Sequence, residues 1–206
     1  MIPVELVKLL DGLRTRLDSN GELSSRFRAE LHETIERLSA NEHLDAGYLR
    51  RSRLALICAT NSLTYLDSSV DEVEIEKISR EIILHSKVAL QGRFEMKDLE
   101  IENDKLFKLI NNRISSGDIQ LRALYAGMAC YAAVNTVLYD GRAESSPDAE
   151  INTSPDEWPA CFYASLAASG SACWENKGGE FERRKFWDWY LVDAVPKAWD
   201  VELELI

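Results

Sequence analysis

Two stretches of this chain, residues 123 to 139 and 159 to 174, contain no charged side chain, although 29% of all its residues are charged. A run that avoids charge over about four helical turns must be covered on every side. These two segments are therefore expected to form the buried centre around which the rest is arranged. Both are rich in small residues, Ala126, Gly127, Ala129, Ala132 and Ala133 in the first and Ala164, Ala167, Ala168, Gly170 and Ala172 in the second. Small side chains let two helix axes approach closely. A bilayer span is the competing reading. Asn135 and Thr136 interrupt the first run and Ser165, Ser169 and Ser171 the second, and neither reaches the roughly 20 residues a hydrocarbon core requires. No membrane partner is expected.

Elsewhere apolar residues recur every three or four positions and strand-like alternation is almost absent, which predicts an all-α fold. The spacing predicts about eight helices, largely antiparallel, in a single domain spanning residues 1–206. A first helix covers 3 to 18, and a second 22 to 40 with Phe27, Leu31, Ile35 and Leu38 on one stripe. After a turn at Asn41 to Gly47, a third covers 46 to 66 with Leu49, Leu54, Ile57 and Leu63 inward. Ser69 with Glu72 reads as a capping box for a fourth that ends near Gln91-Gly92 and uses Val73, Ile75, Ile78, Ile82 and Leu84. A fifth covers 96 to 115 with Leu99, Leu106, Leu109, Ile110 and Ile114, and Gly117 closes it. Ser154 with Glu157, and Pro155 at the first helical position, read as the start of the seventh.

Charge narrows the partners. The formal net charge is −11, and residues 117 to 206 hold 7 basic against 15 acidic side chains. That sign repels a phosphate backbone, so no nucleic-acid binding is expected, whereas a basic protein would be steered to this part of the chain. Cys58, Cys130, Cys161 and Cys173 are far apart and form no Cys-x-x-Cys pair, which reads as buried free thiols. Met1 to Asp11 lacks a basic start and an unbroken apolar run, so a reducing cytoplasm is the expected compartment.

Catalytic chemistry is not written in these residues. His32, His43 and His85 fall on different elements, and the metal motifs His-Glu-x-x-His and paired Glu-x-x-His are missing. Glu81 and His85 share a helix face four residues apart, the spacing of a local ion pair. Ser169-Gly170-Ser171 has no histidine beside it and does not match a nucleophile elbow. No catalytic residue, metal ligand or cofactor site is assigned. Taken alone the residues describe an acidic all-helical domain without naming its task, and a helical scaffold or adaptor and an all-α enzyme both stay open.

Two segments remain as candidate binding elements. Residues 140 to 157 are the one long stretch of linker composition, exposed and acidic, and long loops in compact domains often carry function. The second is the last helix, which holds three of the five tryptophans. At helical spacing Trp187, Tyr190, Leu191, Ala194 and Val195 share one face, bordered by Phe186 and Trp189, with Arg183, Arg184, Asp188 and Lys197 elsewhere. Such a stripe reads as core packing, with a kink ahead of Pro196 and a flexible hinge at Gly178-Gly179.

The segment Arg183-Arg184-Lys185-Phe186-Trp187-Asp188-Trp189-Tyr190-Leu191-Val192-Asp193-Ala194-Val195-Pro196-Lys197-Ala198, preceded by Gly178-Gly179-Glu180, resembles the C-terminal signature of a family of all-α bacterial immunity proteins that accompany polymorphic toxins. The resemblance implies a non-catalytic cytoplasmic inhibitor whose partner is a cognate toxin domain, with a basic nuclease fitting the charge. It implies a structural role for Phe186, Trp187, Trp189, Tyr190 and Pro196. Surfaces that discriminate between toxins must differ among members, so Glu144, Asp148, Glu150, Asp156 and Glu157 of the acidic loop are the expected toxin-binding residues.

Overall fold

The computed structural model describes residues 1–40, 42, 45–66, 73–117, 119–140, 154–175 and 177–200. Among these the fold is all-α, with eight helices. They are α1 (Val4–Arg14), α2 (Ser25–Ser39), α3 (Ala46–Ser62), α4 (Val73–Ala89), α5 (Met96–Ser116), α6 (Leu121–Tyr139), α7 (Ala160–Ser169) and α8. The last comprises the contiguous segments Glu180–Trp189, Tyr190–Ala194 and Val195–Trp199. Short 3-10 turns occupy Leu63–Tyr65, Pro155–Glu157 and Cys173–Glu175.

The uncharged pair is central, as expected. All ten residues of α7 are buried, and α6 and α7 pack on each other more extensively than any other two elements. One core joins Leu6 of α1 to Trp199 of α8. The centre has a third member, however. α3 packs on both α6 and α7 and is buried on nearly every side, including the run Arg50-Arg51-Ser52-Arg53. The guanidiniums are tolerated there because the fold supplies acceptors and rings. Arg50 donates from Nε to the Trp199 carbonyl at 3.1 Å, from Nη1 to Ser39 Oγ at 2.8 Å and from Nη2 to Glu42 Oε2 at 2.5 Å. Its guanidinium carbon also sits 3.5 Å from the Trp199 ring centroid, a cation–π contact that ties the end of α8 to α3.

Several boundaries differ from the sequence expectation for local reasons. α1 stops at Arg14 rather than 18. Asp18 instead closes a turn, its carboxylate accepting the Glu22 N–H at 2.8 Å. α2 begins at Ser25, and α4 ends at Ala89. α7 begins at Ala160, because Pro159 holds Trp158 extended and limits the expected helical start at Pro155 to one 3-10 turn. It ends at Ser169, where Gly170 turns left-handed at φ +80°, well before 174. Val73, Leu84 and Ile114, counted into apolar stripes above, are exposed. Ser69, Glu72 and most of the loop 140–157 lie outside the described residues. Among those described, no helix is long and apolar enough to cross a membrane.

Candidate functional site

The aromatic helix α8 is built around burial. Phe186, Trp187, Tyr190, Leu191, Ala194 and Val195 are all buried, while Trp189 and Pro196 are partly so. The rings form one cluster: Phe186 meets Trp187 edge-on at 5.1 Å, and Trp187 meets Tyr190 edge-on at 5.3 Å. Ahead of Pro196, Tyr190–Ala194 widens into a π turn. Proline lacks the N–H that would continue the ladder, and the wider turn absorbs that mismatch where a kink was expected.

Arg183 corrects the sequence reading. It was placed away from the stripe, yet it is 1% exposed, one helical turn before Trp187. Its Nη1 donates to the Asn20 carbonyl and its Nη2 to the Ser171 carbonyl, both at 2.8 Å. Nε lies 3.6 Å from the Glu22 carboxylate, which also receives Arg28 Nη1 at 3.0 Å. Arg28 in turn stands 5.2 Å from the ring centroids of Phe162 and Trp187. One guanidinium therefore binds the loop before α2, the turn after α7 and α8 into one unit.

Two glycines make this approach possible. Gly21 and Gly179 have φ of +74° and +86°, and a Cβ at Gly179 would fall 2.5 Å from the Ser169 carbonyl. At Gly21 a Cβ would strike the Glu180 carbonyl. The second glycine of the Gly178-Gly179 pair is a close-packed corner rather than a flexible hinge.

Burial sets the protonation of two groups in this unit. Glu22 is pushed up to about 7 by burial, against the pull of Arg28 and Arg183. His32 is pushed down to about 4 by burial, then by Arg51 and Arg28. Its Nε2 lies 3.3 Å from the Tyr190 hydroxyl, which a neutral imidazole can accept. Folded Glu22 holds a proton that the unfolded chain releases near pH 4.5. Its contribution is thus fully present below pH 4.5 and is lost as pH rises through 7. Relative to wild type, Glu22→Gln is expected to gain about 3 kcal/mol between pH 4.5 and 7, read by urea unfolding at both. A constant difference would mean that the two guanidiniums keep Glu22 ionised throughout.

The other candidate groups of the sequence are also taken up by partners or buried. Cys58, Cys130 and Cys161 are buried free thiols, as expected, with Cys173 half-buried, and burial raises Cys130 to about 12. His85 pairs with Glu102 of α5 at 2.7 Å and stacks on Phe94, not with Glu81, which is exposed. Ser169 Oγ is taken up by the carbonyls of Ser165 and Ser171, each at 2.8 Å. No group of three or more potential metal ligands occurs among the described residues.

Of the expected toxin-binding residues, Glu144, Asp148 and Glu150 and the side chain of Asp156 lie outside the described residues, and Glu157 is exposed. The feet of the loop are nonetheless firm. At one foot Asp140 is left-handed at φ +49°, a conformation an aspartate tolerates, and it pairs with buried Arg51, which also holds Glu36. Beside it Tyr139, 61% exposed, donates to Glu100 at 2.7 Å. At the other foot the Tyr163 hydroxyl donates to the Pro155 carbonyl, and Trp158 packs on Phe162 and Tyr163.

The model of one protein family, described as Immunity protein Imm5, matches residues 11–197. No curated protein matches the chain.

Proposed function

Because the chain belongs to the Imm5 family of immunity proteins, we propose that it is a non-catalytic cytoplasmic inhibitor that binds and neutralises a cognate bacterial toxin domain with a basic face. The family match over residues 11–197 carries this reading. A toxin-neutralising role follows from the family, and the basic partner follows from the charge of −11. A nuclease is the toxin class whose surface suits that charge.

The division of labour supports the same reading. The signature residues are consumed in packing, with Trp187 and Tyr190 fully buried, so recognition falls to outer surfaces that can vary without unfolding the protein. The acidic loop fits that requirement, since it joins two anchored feet and carries Glu144, Asp148, Glu150, Asp156 and Glu157.

Co-purification with an inactivated toxin domain encoded beside this chain tests the proposal. A tight one-to-one complex is the expected result, and a folded protein that retains no such domain would overturn it. Reversing Glu144, Asp148 and Glu150 together to lysine should leave the melting temperature unchanged. It should also slow association by on the order of tenfold at low salt, with the gap closing as salt is raised. Unchanged association would remove the loop from the interface.

A further inference from the structure

We propose that the exposed face of Trp174 is an anchor point of the toxin-binding surface, receiving an arginine or lysine side chain from a basic toxin. This rests on the immunity reading and assigns it a place on the molecule. Trp174 is 41% exposed, an unusual position for a large ring that is otherwise firmly held. It stacks on Phe162 with centroids 5.8 Å apart and meets Trp158 edge-on at 6.0 Å. Phe162 is buried, and through it the exposed ring rests on the core of the protein.

The turn that presents Trp174 is also fixed. Glu175 accepts the Ala172 N–H at 2.9 Å, and Ser171 Oγ donates to the Gly178 carbonyl at 3.1 Å. A ring held in place before the partner arrives loses little conformational freedom on binding. Tryptophan is among the residue types enriched at binding hot spots.

Charge selects the occupant. Trp158, in contact with Trp174, directly follows Glu157, whose side chain is exposed. Glu175 flanks the ring, its carboxyl held below the ordinary value by the Ala172 N–H and then by Lys177. Glu175 is already paired with Lys177 at 3.0 Å, so the ring draws a cation through its quadrupole, and the 15 acidic against 7 basic side chains over residues 117 to 206 steer a basic partner to this part of the chain. The fold uses the same pairing internally, where Arg28 faces Phe162 and Arg50 faces Trp199.

The test compares wild type, Trp174→Ala, Trp174→Phe, Glu157→Arg and Phe181→Ala for binding to the inactivated toxin domain, with thermal unfolding recorded for each. Phe181 is an exposed aromatic on α8 and serves as the control. Trp174→Ala should weaken binding by about tenfold or more, Trp174→Phe by less, and Phe181→Ala should bind as wild type does. Glu157→Arg removes no packing and should slow association. It therefore decides the matter if Trp174→Ala lowers the melting temperature. Should wild type bind while Trp174→Ala and Glu157→Arg bind equally well, the anchor is wrong and the immunity reading stands. Should wild type itself not bind, both fail.

Discussion

Trp187→Ala is expected to cost about 3 to 5 kcal/mol of unfolding free energy, the range for removing a large aromatic from a packed interior. Trp187 is fully buried, touching Phe186, Tyr190 and the Arg28 guanidinium. Domains of this kind have about 5 to 15 kcal/mol in total, so the variant should melt far below wild type and populate unfolded chain at moderate temperature. Molecules that remain folded should still bind the toxin domain with near wild-type affinity, because the ring does not reach the surface. Urea unfolding followed by a binding titration at low temperature measures both quantities. Trp187→Phe should cost less, since it keeps most of the ring and discards an indole N–H that has no hydrogen-bond partner among the described residues. An unchanged melting temperature with lost binding would turn the signature helix from core into interface.

Arg183→Ala should be comparably severe, about 3 to 5 kcal/mol, although an arginine lost from a helix surface usually costs little. The substitution strips the Asn20 and Ser171 carbonyls of their donors and leaves Glu22 with Arg28 as its remaining guanidinium. It also leaves a cavity where a side chain only 1% exposed had been. Arg183→Lys keeps the charge but not the fork, so it can serve one carbonyl well and not both. A loss of about 1 to 3 kcal/mol is expected for it. The comparison is informative in either direction. Equal stability of the alanine variant and wild type would show that Arg183 is held in place by its neighbours rather than holding them.

The aromatic stripe of α8 thus has a physical explanation. Arg183, Trp187, Tyr190 and Leu191 are successive inward positions of one helix, and each closes a different part of the interior. Arg183 stands four residues before Trp187, a spacing that fits the stripe, yet the sequence reading placed it elsewhere. Its charge argued for exposure, because what makes an inward arginine tolerable is a set of acceptors from residues 20, 22 and 171 that only the folded chain brings together. The same holds for Arg50, Arg51 and Arg53 in α3, whose three guanidiniums hid a central helix behind a polar composition.

By contrast, the uncharged helices α6 and α7 were legible at once, since absence of charge has few other causes. So was the stop at Gly117, left-handed at φ +74°. The helical start expected at Pro155 failed because a second proline, Pro159, outranked the capping pattern. The candidate binding surface was half legible. Loop composition marked residues 140 to 157, but Trp174 sits in an apolar-looking run and reads as core until the left-handed Gly170 turns the chain outward. Composition shows where acids are concentrated. It does not show which aromatic ring the fold leaves uncovered.

The arrangement of α8 carries a further consequence for how the protein is made. The helix that seals Glu22, Arg28 and His32 from water is made after all the elements it covers, and it packs against both α1 and α3. A nascent chain lacking residues beyond 182 has no Arg183 to join its turns and no Trp187 or Trp199 to cover its arginines. The interior therefore closes only once α8 has been made, and a chain cut short ahead of Arg183 would expose its uncharged helices rather than bind weakly. Truncation ahead of Arg183 is thus expected to abolish the fold outright rather than weaken it by degrees.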